Sequence, residues 1–285
     1  MTPTQSTSSG EQLAQHASTV RPAPAKHLAS PLPTPRDPYL VASWPSRVAS
    51  LVYGSLAYVI FLGTFLYAIG FVSGLVVPKT VDGGAPAPLL EALLVNGGFL
   101  ALFAVQHTIM ARRAFKRWWT RIVPPQLERA TFVLVTCAIL CSMFWQWREL
   151  PGELWRVGGP AAWILRGMSF LGWGLVLLSS FLIDHFELFG LRQVVRHFLG
   201  RAPEAPHFRE RSLYRMVRHP LMFGFLLAFW ATPVMSMGHL FFAAMCTGYI
   251  LVGIQIEERT LIAEHGEAYR DYQRRVPMLL PTGRR

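Results

Sequence analysis

Arg218-His219-Pro220-Leu221 runs directly into an apolar stretch that ends at Ile256, where Glu257-Glu258-Arg259 follows at once. Beyond it come Glu264-His265-Gly266-Glu267-Ala268-Tyr269, then Tyr272 and Arg274-Arg275-Val276-Pro277. Leu221 to Ile256 is too long for one ordinary membrane span. Pro233 and Gly238 lie near its middle, around Met235-Ser236-Met237, and such residues break helices. The expectation is a hairpin of two antiparallel helices, the first of them short. Once the hairpin closes, the two polar clusters that bracket it meet on one side of a membrane. That is the arrangement of a binding site.

Composition agrees with a membrane setting. Of 285 residues, 52% are hydrophobic and 15% charged, and the mean hydropathy is positive. A net charge of +11 raises the prospect of nucleic acid, but the basic residues sit in short loops between apolar runs. That is the positive-inside pattern of a polytopic membrane protein, so no nucleic-acid partner is expected.

Outward from the hairpin, four more apolar runs precede it, near Val48–Val77, Leu89–Met110, Leu127–Trp147 and Trp163–Ile183. Gly97-Gly98 in the second, and Gly167, Gly172 and Gly174 in the fourth, are places where helices can approach closely. Residues 1–45, rich in Ser, Thr, Pro, Ala and Gln, lack the apolar surface to offset ordering entropy and read as a disordered tail, not a signal peptide. The expected organisation is that tail, membrane helices with basic loops over 46–217, and a C-terminal unit over 218–285. The fold class is therefore all-α: four transmembrane helices plus the hairpin, five to six passes.

Lysine and arginine counts orient this bundle. Of the 27, all but Lys79, Arg148, Arg156 and Arg166 fall in the N-terminal tail with the adjoining Arg47, 111–129, 185–218 and 257–285. In a six-pass arrangement these 23 lie on one side, which places both termini in the cytoplasm. The same count puts both polar clusters on the cytoplasmic side.

Other signals are weaker. Cys137, Cys141 and Cys246 all lie in apolar segments and form neither a disulfide framework nor a zinc motif, so no metal site is expected. Nine histidines are present but none are spaced as HxxH or HxxxH, which argues against a di-iron oxidase. Polar residues cluster at one interface and no repeat is visible, which argues against a transporter or scaffold.

Arg218-His219-Pro220, Gly224, and Glu257-Glu258-Arg259 with the Gly, Tyr, Tyr and Val-Pro that follow resemble the isoprenylcysteine carboxyl methyltransferase superfamily of membrane methyltransferases. Gln106-His107-Thr108-Ile109-Met110-Ala111-Arg112, Phe115 to Arg121, Asp184 to Gln193 and Ala228 to Pro233 are similar to one branch, the bacterial methanethiol S-methyltransferases. The resemblance covers nearly everything after about residue 45; one departure is Met222, where the superfamily usually has Tyr.

The resemblance implies an enzyme of the bacterial inner membrane that methylates a small volatile thiol, methanethiol, with S-adenosylmethionine. It carries cofactor binding onto Arg218, His219, Pro220, Gly224, Glu257, Glu258, Tyr269, Val276 and Pro277. The chemistry is consistent: donors at a helix N-terminus suit a carboxylate, acidic side chains suit an ammonium or ribose hydroxyls, and aromatic walls suit adenine. Only one of the adjacent Glu257 and Glu258 can point inward, and spacing does not say which. Ionisable groups at membrane depth hint at function, which marks His107, Asp184 and His185 as candidates for shaping the thiol pocket and taking its proton. The rival within the superfamily is carboxyl methylation of an isoprenylated acceptor.

Overall fold

A computed structural model describes residues 42–202 and 212–280. Residues 1–41, which hold nearly all of the expected disordered tail, lie outside the described residues. The chain is an all-α membrane bundle with one short ribbon. Its elements are α1 (Trp44–Ser73), α2 (Leu89–Ala111), α3 (Arg113–Trp119), α4 (Glu128–Gln146), β1 (Glu153–Arg156) and α5 (Gly159–Ile183). Then follow α6 (His185–Leu188), α7 (Leu191–Phe198), α8 (Pro220–Trp230), β2 (Val234–Ser236), α9 (Met237–His265) and α10 (Glu267–Arg275).

Among the described residues five helices, α1, α2, α4, α5 and α9, are long and apolar enough to cross a membrane. They expose rows of Leu, Val, Ile and Phe, as a lipid-facing surface requires. The first begins before Val48, at Trp44, because Pro45 suits the first turn of a helix; it stops at Gly74, whose φ of 67° closes the end.

The hairpin breaks where Pro233 predicts. Its first arm, α8, has 11 residues, a length of about 16 Å that falls well short of a bilayer's hydrocarbon core. Instead α8 lies along α5. A Cβ built on Gly172 would meet Ala228 N at 2.5 Å and Gly224 O at 2.6 Å, and one on Gly224 would meet Gly172 O at 2.8 Å. Two glycines thus bring the backbones together. The other suggested glycines do not: Gly98, Gly167 and Gly174 have nothing within 4 Å, and Gly97 only Phe241 at 3.5 Å.

The ribbon is a feature that the all-α reading does not anticipate. β1 pairs antiparallel with β2, linking the α4–α5 connection to the hairpin tip. At this end Asn96 is fully buried and satisfied, donating to Arg148 O at 2.8 Å and accepting from Arg148 N at 2.9 Å. Trp147 donates to Val81 O at 3.1 Å, and Ser236 donates to Asp82 at 2.6 Å while capping α9. His239 contacts Phe229 O at 2.8 Å, tying the start of α9 to the end of α8. These bonds fasten one end of the bundle, and the polar motifs collect at the other.

Candidate functional site

At the motif end, the two clusters that bracket the hairpin meet. Pro220 starts α8 with its fixed φ, which leaves Arg218 and His219 immediately ahead of the first turn. Glu257 and Glu258 lie in the last third of α9. After His265, Gly266 takes φ 57° and ψ −128°, a conformation that favours glycine, and the chain turns into α10. Gly266 therefore brings Tyr269, Tyr272 and Gln273 back beside Glu258.

Glu258 is the hub. Its Oε1 accepts from Arg218 Nε at 2.7 Å and faces His219 Nε2 at 3.1 Å, and its Oε2 accepts from Gln273 Nε2 at 2.9 Å. Arg218 is otherwise held by backbone: one terminal nitrogen donates to Gln273 O at 3.1 Å and Val276 O at 2.6 Å. The main chain repeats the clamp, with Arg218 N donating to Pro277 O at 2.9 Å and His219 N to Met278 O at 3.1 Å. Arg218 and Glu258 side chains are only 11% and 14% exposed. Geometry so close and so dry makes a charge-assisted pair of the strong kind.

Of the two adjacent acids, Glu258 turns inward and Glu257 outward. The Glu257 side chain is 51% exposed, and its nearest basic neighbour is His219 Nδ1 at 3.7 Å. Tyr269, Tyr272 and Val276 are buried together against Leu261 and Ile262, with the tyrosine rings 5.7 Å apart. Tyr272 donates to Tyr214 O at 2.5 Å. Burial, then the charge of Glu258, pushes the Tyr269 phenol up; burial and Glu257 do the same to Tyr214, so both stay neutral donors. Gly224 lies apart from these side chains, in the contact between α8 and α5.

Gln273 and Tyr214 are members of this cluster that sequence reasoning missed. Gln273 stands four residues after Tyr269, one helical turn on, so that spacing could have found it. Tyr214 gives no such signal, because it takes part through its backbone carbonyl, which accepts from the Tyr272 hydroxyl.

The other candidates lie deeper. His185 is 4% exposed and has both ring nitrogens occupied, Nε2 by Tyr58 Oη at 2.9 Å and Nδ1 by Ser180 Oγ at 2.8 Å. Phe181 stacks on it at 4.2 Å and Phe189 meets its edge at 4.8 Å. Burial pulls its pKa down, so it is neutral at neutral pH. Asp184 accepts from Glu187 N at 3.2 Å as the cap of α6 and pairs with Arg192 at 2.5 Å. Sequence alone favours Asp184-His185 for shaping the thiol pocket; in the structure Asp184 caps a turn and His185 has both ring nitrogens hydrogen-bonded.

His107 differs. Its Nδ1 is buried with no hydrogen-bond partner among the described residues. Phe103, Phe132 and Tyr249 surround the ring at 5.3, 4.9 and 6.5 Å. Next to it, Thr108 Oγ1 lies 3.4 Å from Tyr249 Oη, joining α2 to α9. His107 thus leaves one ring nitrogen unsatisfied in an aromatic surround, unlike His185.

Comparison with known proteins places these features in a lineage. The chain is 53% identical to methanethiol S-methyltransferase 2 of Bradyrhizobium diazoefficiens, over 83% of this chain and 91% of that protein. It is 52% identical to methanethiol S-methyltransferase of Mycobacterium tuberculosis, over 82% of this chain and 97% of that protein. A more distant similarity, 27% identity over 74% of this chain and 82% of its counterpart, links it to nurim of Xenopus laevis. No family model and no solved structure matches.

Proposed function

The chain belongs to the methanethiol S-methyltransferase family, and from that premise we propose that it methylates methanethiol with S-adenosylmethionine as donor. The observation that carries the reading is 53% identity extending over 91% of a relative so named. Bound S-adenosylmethionine supplies an electrophilic methyl on a sulfonium. A thiol sulfur lone pair forms the new S–CH3 bond as the sulfonium bond breaks, which gives dimethyl sulfide, S-adenosylhomocysteine and a proton.

The residues fit such a donor. Glu257, half-exposed and faced among the described basic residues by His219 at 3.7 Å, offers an acceptor for an ammonium or ribose hydroxyls. His219 faces it from the start of α8. Arg218, Glu258, Val276 and Pro277 hold the floor of the cassette rigid through the bonds described above. Pro220 and Gly224 set the direction and seat of α8, and Tyr269 walls the cassette from within. Holding two reactants in line in a pocket that excludes water is itself a large share of catalysis.

For the proton, His107 is the residue of choice among His107, Asp184 and His185, since its Nδ1 is buried and unpartnered. The thiolate is the better nucleophile, and a nearby neutral imidazole is the group that generates it. The substrate has so few atoms that it contributes little binding energy, and weak affinity for the thiol is expected. The basic loops support a site on the cytoplasmic side of a bacterial inner membrane, facing the compartment in which S-adenosylmethionine is made.

Headspace gas chromatography of purified protein given both substrates tests this reading. Wild type is expected to release dimethyl sulfide. The His107→Phe variant is expected to lose on the order of 100-fold in rate with unchanged S-adenosylhomocysteine affinity. Its deficit is expected to narrow as pH rises, because thiolate then forms in solution. A pH-independent deficit would make His107 a packing residue, and no dimethyl sulfide from wild type would overturn the function.

A further inference from the structure

A groove of about 420 Å³ opens at the motif end between the α2–α3 junction and the last turns of α9. Arg112 and Arg113 line one side; Arg259 and Glu264, with the apolar Ile256 and Ala263, line the other. Of these residues only Arg259 and Glu264 belong to the polar stretches that follow the hairpin, and none is among the cofactor-binding residues that the resemblance implies. We propose that this groove receives the α-amino-carboxylate end of S-adenosylmethionine, an inference that rests on the methyltransferase reading above.

Three observations lead there. First, the cassette's own guanidinium is spent. Arg218 already serves Glu258 and the carbonyls of Gln273 and Val276, so a ligand carboxylate needs another cation. Arg112 and Arg259 supply it: neither side chain has a hydrogen bond or an acidic partner among the described residues. Second, the groove carries both signs. Glu264, paired with Arg113, sits at its rim, and the outward-facing Glu257 lies on the same flank of α9, seven residues earlier and so two turns away. Cations for a carboxylate in the groove, with one acid at its rim and a second nearby on α9 for an ammonium, match a zwitterion. A bare phosphate would find no use for the acids.

Third, the groove leads to the acceptor side. Arg112 directly follows the end of α2, four residues after Thr108; on α9, Ile256 is two turns beyond Tyr249. Thr108 and Tyr249 touch each other beside His107. The groove therefore ends beneath the residue assigned to the thiol's proton.

Two ligands separate this proposal from its alternatives. S-adenosylhomocysteine carries the amino-carboxylate and 5′-methylthioadenosine lacks it. Titrated into the full-length protein in detergent, Arg112→Ala and Arg259→Ala are each expected to weaken S-adenosylhomocysteine by on the order of tenfold or more. Binding of 5′-methylthioadenosine is expected to stay the same, with the melting temperature unchanged because both arginines are exposed. Equal loss for both ligands, or no loss for either, would overturn the groove assignment while leaving the enzyme reading intact. So would variants that keep S-adenosylhomocysteine affinity but no longer gain stability from phosphatidylglycerol, which would mark a lipid headgroup site. Wild type that binds neither ligand would overturn both readings together.

Discussion

Replacing Glu258 with alanine is expected to abolish dimethyl sulfide formation and to destabilise the protein by about 3–5 kcal/mol, the usual cost of stranding one member of a buried ion pair. Its carboxylate holds Arg218, His219 and Gln273 at 2.7, 3.1 and 2.9 Å. Removing it leaves a guanidinium that is 11% exposed and has no other ion pair among the described residues. Three elements lose their common fastener at once: the chain ahead of α8, the end of α9, and α10. Glu258→Gln keeps the shape but not the charge and is expected to fall between. Glu257→Ala makes the contrast, since that side chain is 51% exposed; it is expected to leave the melting temperature near wild type and weaken donor binding. Thermal unfolding in detergent, run beside the headspace assay, reads both effects. A Glu258→Ala protein as stable as wild type would show that the cassette is not held as described.

The second large effect is expected at a position that touches no polar group of the site. Gly172→Val places a Cβ 2.5 Å from Ala228 N and 2.6 Å from Gly224 O, both backbone atoms that cannot rotate aside. α8 must then move away from α5, and His219 moves with it. Overpacking of this kind costs about 1–3 kcal/mol or more where the backbone itself is in the way. The expected outcome is a marked loss of monodisperse protein, and loss of dimethyl sulfide formation in what remains. Gly167→Val and Gly174→Val, on the same helix with nothing within 4 Å, are expected to behave as wild type. Equal tolerance at all three positions would mean that α8 is not seated on α5.

Much of this architecture is legible in the sequence because membrane helices announce themselves by length and hydropathy. Pro233 marks the break in the hairpin, and the distance between Arg218-His219 and Glu257-Glu258 spans a there-and-back excursion, so their meeting follows from topology. What spacing does not give is the partner across a helix gap. Whether Glu257 or Glu258 faces inward depends on where α10 returns, and that depends on the left-handed turn at Gly266. His185 looks like a base by its position at a membrane exit, yet Tyr58 and Ser180, the first of them more than a hundred residues away, occupy both of its nitrogens. The ribbon between β1 and β2 is equally hidden, since Glu153–Arg156 and Val234–Ser236 are too short to carry an alternating pattern. Small residues were the least informative: Gly172 and Gly224 are in tight contact while Gly98, Gly167 and Gly174 meet nothing, although composition treats them alike.

The most direct test of the central claim follows the methyl group. Purified protein in liposomes is given S-adenosylmethionine labelled with a trideuteromethyl on sulfur, together with unlabelled methanethiol, and the headspace is analysed by mass spectrometry. The account predicts CD3–S–CH3 as the volatile product, formed in step with S-adenosylhomocysteine. S-adenosylhomocysteine without labelled dimethyl sulfide would show that the methyl goes to another acceptor. Neither product, from protein that still binds S-adenosylhomocysteine, would contradict the methyltransferase account outright.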